Sequence, residues 1–265
     1  MLKDIKTVTP TGSTMRGYAD FSRISPGEIA ALSGKWQNPT GTVCKRGSST
    51  VAFIDSRFFV KCSPAGRGFR RTRRLFQIPR PLNALWMNRI LNALEIPTPE
   101  IFCAVRESRN GLPVCDYLVT EILDPASSCT ANCYVMTDDQ DRQTLFKSAA
   151  EILGKLHHSN IIHGDASTKN FYLTKSSKGT SVGMIDFDSC TKILIYRAAF
   201  RKEIARFISS YLMGCGNESD SDIEISCTEF LDVYSKFCSK KHSVSILSRD
   251  IKRFFASTSR KWENI

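Results

Sequence analysis

The chain has 265 residues, 42% of them hydrophobic and 24% charged, which excludes a disordered or fibrous protein and allows one large domain or two joined lobes. Lysines and arginines number 37 against 26 aspartates and glutamates; the formal net charge of +11 favours anionic partners such as nucleotide, nucleic acid or acidic lipid without choosing among them. The ten cysteines run from Cys44 to Cys238 without a CxxC pair and read as reduced core residues. The opening Met1-Leu2-Lys3-Asp4-Ile5-Lys6 puts charge where a signal peptide needs an apolar region, so a reducing cytosol is expected. No apolar run approaches the roughly 20 residues of a spanning helix, so any membrane contact is expected to be peripheral.

Residues 1–24, with threonines and serines around Pro10 and Gly12, show no sustained apolar period and read as a loose lead-in. Three short antiparallel strands are expected next, over 41–45, 50–54 and 57–62, the first two joined by a turn at Arg46-Gly47. A basic tract, Arg67, Arg70, Arg71, Arg73 and Arg74, leads into a helix. Its apolar residues Leu82, Leu85, Trp86, Ile90 and Leu94 recur near a period of 3.6, with Trp86 expected in the core and the helix ending before Pro97. Strands over 101–105 and 117–122, on either side of the turn Asn110-Gly111, complete an α+β unit of five strands and one helix.

Beyond Asp124-Pro125 the pattern turns helical. Leu145, Ala149, Ile152, Leu153 and Leu156 fall on one helical face that stops at His157 and His158. Further helical periods cover 193–213 and 224–238, and the acidic run Asn217-Glu218-Ser219-Asp220-Ser221-Asp222 between them reads as a solvated loop.

Between these helical stretches lies Ile161-Ile162-His163-Gly164-Asp165-Ala166-Ser167-Thr168-Lys169-Asn170, followed after a turn by Val182-Gly183-Met184-Ile185-Asp186-Phe187-Asp188. Phosphoryl transfer to a hydroxyl needs one carboxylate to orient the hydroxyl and accept its proton. It also needs an amide and a second carboxylate to hold Mg²⁺ on the phosphates. Asp165, Asn170 and Asp186 supply those groups in that order, and oxygen donors suit a hard cation that keeps its waters. His163 reads as a support of the loop, and Asp188 as a further metal-site carboxylate or a helix cap.

The chain resembles the protein-kinase-like superfamily over roughly residues 40–240, and within it the bacterial lipopolysaccharide-core sugar kinases, which include the Kdo and heptose kinases. The resemblance is carried by His163-Gly164-Asp165 with Asn170 five residues on, and by Ile185-Asp186-Phe187-Asp188 in place of an Asp-Phe-Gly. It is also carried by the Trp86 helix running into Ile96-Pro97-Thr98-Pro99. It implies an α+β bilobal protein-kinase-like fold: a small antiparallel-sheet N-lobe over residues 25–121 and a mainly helical C-lobe over 122–265 that carries the catalytic site, with ATP between them. By the same resemblance Asp165 is the catalytic base and Asn170 and Asp186 are the ligands of Mg²⁺. Lys61 contacts phosphate, and Glu121 and Leu123 belong to the adenine-binding hinge. Two departures stand out. No Gly-x-Gly-x-x-Gly lies between the first strands, where Lys45 to Ser49 would have to cover the phosphates. Leu85 precedes Trp86 where a helical glutamate would pair with the lysine.

The resemblance further implies an anionic lipid-linked sugar acceptor of the lipopolysaccharide core, a cytoplasmic location at the inner face of the membrane, and no specific nucleic acid. A protein Ser/Thr kinase or a small-molecule phosphotransferase fits the same loop, and a nucleotide-binding pseudokinase scaffold is the alternative of a different class. The arginine tract reads either as solvated charge or as a contact for phosphates and anionic lipid.

Overall fold

The structure, a computed structural model, describes residues 2–39, 41–46, 50–55, 57–123, 128–130, 138–177, 179–193, 197–216 and 219–262. The turn at Gly47 with Ser48 and Ser49, Asp124-Pro125, Cys133 and Asn217-Glu218 lie outside these residues. The chain divides into two compact units, one of residues 1–92 and 98–123, the other of residues 93–97 and 124–265.

The first unit is built on β1 (Lys3–Val8), β2 (Thr14–Ala19), a short α1 (Pro26–Ala30), β3 (Thr42–Arg46), β4 (Val51–Asp55) and β5 (Phe58–Pro64). Then come α2 (Phe69–Arg73), a 3₁₀ turn over Arg74–Phe76, α3 (Arg80–Ala93), β6 (Ile101–Arg109) and β7 (Leu112–Thr120). The strands form one antiparallel sheet in the order β1-β2-β6-β7-β5-β4-β3. Five of the seven are those expected, and the residues read as a loose lead-in supply the other two. Alternation explains β1 and β2. Ile5 is the one buried side chain of β1, while Met15 and Ala19 are the buried ones of β2. So few apolar positions give no visible period, yet pairing of β2 along β6 brings them onto the core of Phe53, Val60, Tyr117 and Val119.

The α3 face that is buried is Ala84, Leu85, Met87, Asn88 and Leu91, while Trp86 is 53% exposed, contrary to the expected core position. A 100° step per residue separates Trp86 from Leu85 and Met87, and the latter two win the core. Asn88 makes this burial tolerable because its amide donates to Thr98 Oγ1 and to the carbonyl of Pro99.

The second unit begins with β8 (Ser128–Thr130) and α4 (Asp139–His158). It continues with β9 (Ile161–Ile162), β10 (Phe171–Ser176), β11 (Gly179–Met184), β12 (Thr191–Lys192), α5 (Arg197–Cys215), α6 (Asp220–Tyr234) and α7 (Val244–Trp262). The α4 stripe Leu145, Ala149, Ile152, Leu153 and Leu156 is buried as its period requires. Its aromatic neighbours Phe146, Phe207 and Phe230 meet edge-on or tilted with ring centroids 5.4–6.2 Å apart.

The acidic run before α6 is not a solvated loop from Ser219 on. Ser219 is the N-cap, its hydroxyl accepting from Asp222 N while the Asp222 carboxylate accepts from Ser219 N, and Asp220 and Asp222 sit in the first turn, where the helix dipole favours them. The described cysteines Cys62, Cys103, Cys115, Cys190, Cys227 and Cys238 are buried thiols. Burial pushes the thiols of Cys103 and Cys190 far up, so they are unreactive at neutral pH.

Candidate active site

Two short ladders bracket the His163 to Asp186 segment. β9 pairs with β12, Ile162 opposite Thr191, and the β10–β11 hairpin sets Phe171 opposite Met184. The second ladder runs one step further, because Ile185 N donates to the carbonyl of Asn170 at 2.9 Å. That bond puts Asp186 next to Asn170 although 16 residues separate them in sequence. Asp186 itself takes a left-handed backbone, φ 60°, which costs a non-glycine residue of order 1 kcal/mol or more and is typical of functional sites.

Asp165 is a half-exposed carboxylate with three polar neighbours. Arg206, from α5, donates through Nη1 to Asp165 Oδ1 at 2.9 Å and to the carbonyl of Gly164 at 2.9 Å. Lys169 Nζ lies 3.4 Å from Oδ2. Asn170 Nδ2 donates to the Asp165 carbonyl at 2.7 Å and reaches Oδ2 at 3.3 Å, which leaves its amide oxygen as the end that would take a cation.

The loop's backbone is held by buried groups. His163 is fully buried; its Nδ1 accepts from Asp165 N at 3.3 Å, so Nε2 carries the proton and donates to the carbonyl of Ile185 at 3.2 Å. This one ring ties the Asp165 end of the loop to the Asp186 end. Gly164 has φ 88°, and a Cβ there would lie 3.2 Å from the carbonyl oxygen of Ser189, so the position suits glycine on both counts.

Behind the loop, the Glu203 carboxylate on α5 accepts from His163 N at 2.9 Å, from Gly164 N, and from His157 Nε2 at 3.1 Å. Burial alone would raise the Glu203 pKa, but the hydrogen bonds from His157 and from the two loop amides outweigh it and hold the carboxyl below its ordinary range. Burial lowers the pKa of His157 despite its acidic neighbour, so the ring is neutral at pH 7 and donates through Nε2. Its Nδ1 meets the Tyr234 hydroxyl at 3.0 Å.

Ser167 Oγ, two residues beyond Asp165, is buried without a hydrogen-bond partner among the described residues. Buried hydroxyls are seldom left so, and a ligand oxygen would complete it. The donor set fits a hard cation in the same way: one amide oxygen and one carboxylate on neighbouring chain segments joined by the Ile185 N–H bond, with no cluster of three His, Cys, Asp or Glu among the described residues. A cation that takes its remaining ligands from phosphate oxygens and water needs no more from the protein.

The structure thus brings Asp165, Asn170 and Asp186 together. Lys61, Glu121 and Leu123 belong to the first unit. Lys61 is half-buried on β5, paired with Ala52 on β4 and Leu118 on β7. The segment Glu121 to Leu123 follows β7 without regular secondary structure, and Glu121 closes the start of β6 by bonding Glu100 through both its backbone N–H and its carboxylate. Sequence reading missed Glu203, Arg206 and His157. His157 was visible only as the end of a helix, and Glu203 and Arg206 are charges within a helical period, distinguishable from solvated ones only once α5 packs against the loop.

The family model described as "Lipopolysaccharide kinase (Kdo/WaaP) family" matches residues 74–234. No curated protein matches the sequence. Among solved structures, WaaP in complex with acyl carrier protein superposes with a TM-score of 0.57 at 17% identity, covering 98% of each chain. The Rio2 kinase-ADP/Mg²⁺-phosphoaspartate complex from Chaetomium thermophilum gives a TM-score of 0.49 at 14% identity, covering 97% of this chain and 82% of the other. The fold is protein-kinase-like, and with most of its length matched by the family model the chain belongs to the lipopolysaccharide kinase (Kdo/WaaP) family, a family of phosphotransferases.

Proposed function

We propose that the protein transfers the γ-phosphoryl group of ATP to a sugar hydroxyl of the lipopolysaccharide inner core. The observation that carries this reading is the Asp165 carboxylate, fixed by Arg206 and Asn170 while Ile185 N–H binding to Asn170 returns Asp186 to the same place. In a loose phosphoryl-transfer transition state the protein's work is positioning and charge stabilisation. Asp165 would accept the hydrogen bond of the acceptor hydroxyl, orient it, and take its proton. Arg206 and Lys169 keep that carboxylate in place, and Ser167 Oγ supplies a hydrogen bond to a ligand oxygen. Asn170 and Asp186 would hold Mg²⁺, which when bound neutralises charge on the phosphates. Lys61 would contact phosphate, and Glu121 to Leu123 would take the adenine.

The acceptor, a lipid-linked sugar, places the enzyme at the inner face of the cytoplasmic membrane as a peripheral protein; no helix among the described residues is long and apolar enough to cross a membrane. The solved WaaP is in complex with acyl carrier protein, so an acyl carrier protein is a partner to be tested here.

The test is transfer of labelled phosphate from ATP to a panel of lipopolysaccharide core, generic protein and aminoglycoside, with Asp165→Asn and Asp186→Asn beside the native protein. Asp165→Asn is expected to lower turnover by about 10² to 10⁴ with ATP affinity kept. Asp186→Asn is expected to weaken Mg²⁺-dependent ATP binding as well. Labelling of protein in preference to core would replace the acceptor, and near-native turnover of Asp165→Asn would remove the base.

A further inference from the structure

Between Asp55 and Glu95 the sequence carries nine cationic side chains and no carboxylate. The three most exposed large hydrophobic side chains among the described residues lie in the same stretch: Phe76 at 91%, Phe69 at 83% and Ile78 at 71%. The cations there are of two kinds. Arg71 and Arg74, three residues apart and on one face of the α2 turn, are spent inside the unit. Arg71 Nε donates to the carbonyl of Pro113 at 2.7 Å, and Arg74 Nη1 donates to the carbonyl of Ser63 at 2.8 Å and lies 3.6 Å from Asp116. These bonds fasten the segment to β7 and to the end of β5. What they leave outward is Phe69, Phe76 and Ile78, interleaved with the exposed Arg67, Arg73 and Arg80.

No folding gain accounts for two phenylalanines and an isoleucine held in water. The interleaving says what would cover them. A protein pocket for the apolar groups would have to strip water from the arginines beside them, whereas a bilayer surface offers apolar depth and anionic phosphates to neighbouring side chains at once. We propose that residues 67–80 form a docking face for an anionic bilayer, with Phe69, Phe76 and Ile78 entering the boundary between headgroups and acyl chains and Arg67, Arg73 and Arg80 meeting lipid phosphates. This deepens the reading of a peripheral enzyme given above, and rests on it only for the purpose of docking.

The test is flotation of the full chain with vesicles of phosphatidylethanolamine and phosphatidylglycerol, against vesicles of phosphatidylcholine. The native protein is expected to float with the anionic vesicles alone. Phe69→Ser/Phe76→Ser/Ile78→Ser is expected to lower partition about tenfold or more. Arg67→Gln/Arg73→Gln/Arg80→Gln should lower it about fivefold per charge, with the difference vanishing in high salt. Circular dichroism reports whether each variant is folded, and phosphate transfer to detergent-dispersed core should be unchanged in both. Anionic-vesicle binding equal to native in the folded serine variant overturns the proposal, as does native protein that ignores anionic vesicles. If a purified acidic acyl carrier protein is bound through these phenylalanines while vesicles are ignored, the face belongs to a protein partner and the proposal falls. Absence of phosphate transfer in every form, with vesicle binding intact, would remove the kinase reading and leave the docking face standing.

Discussion

Arg206 on α5 bonds Asp165 twice over, directly at Oδ1 and through the carbonyl of Gly164 one residue before it, so the side chain that holds the carboxylate also holds the backbone that carries it. A single cation 41 residues away in sequence therefore sets the direction of the Asp165 carboxylate. It lies over the Phe254 ring at 5.8 Å, which packs the guanidinium between α7 and the loop.

Arg206→Ala is expected to lower kcat by roughly 10²-fold, because misplacement of a reacting group by about 1 Å costs that much. Arg206 is a positioning residue, so the acceptor's KM should move less than kcat and ATP affinity should stay. Arg206→Lys keeps the charge but not the planar Nη1 whose two N–H bonds reach both acceptors, and should recover only part. Steady-state kinetics in both substrates decide it; a loss confined to KM would make Arg206 an acceptor-binding residue.

Ser167→Ala is expected to lower turnover or ligand affinity without lowering stability. The hydroxyl has no partner among the described residues to lose, so removing it relieves an unsatisfied buried group. Urea unfolding with and without nucleotide checks this. Destabilisation of the free protein by more than about 1 kcal/mol would mean that Ser167 serves the fold.

The Glu203–His157 pair makes stability depend on pH. The folded state depresses His157 below its ordinary 6.5, so as pH falls through 6.5 the unfolded chain takes a proton that the folded chain refuses, and stability falls. Glu203, depressed below 4.5, contributes stability that is present above its unfolded value and is lost as pH falls through its folded one. Urea unfolding should therefore show stability declining from about pH 6.5 downward. His157→Gln should flatten the upper part of that decline, and Glu203→Ala should cost about 2–6 kcal/mol at pH 7 by leaving two buried loop amides unpaired, at about 1–3 kcal/mol each. A native profile without slope between about pH 6.5 and 5 would mean that His157 titrates alike in both states.

The kinase-like fold was legible in sequence through the spacing of His163-Gly164-Asp165, Asn170 and Asp186, and the lipopolysaccharide-kinase family through the resemblance carried by Ile185-Asp186-Phe187-Asp188 and the Trp86 helix. The helices α3 to α6 and five of the seven strands were legible through their apolar periods. β1 and β2 were not, because a strand with one or two buried side chains has no period to read, and only the neighbouring β6 decides which face is inside. Trp86 misled for a related reason: a helical period says that a stripe exists, while the choice between adjacent residues is made by what packs against it. The arginine tract is the sharpest case. Sequence showed five like charges within eight residues. The tertiary structure sorted them, giving Arg71 and Arg74 carbonyl partners on neighbouring strands and leaving Arg67 and Arg73 to the solvent. Glu203 and Arg206 were decided wholly by tertiary structure: a charge's task depends on which groups lie within about 3 Å of it, and chain folding alone brings α5 to the loop.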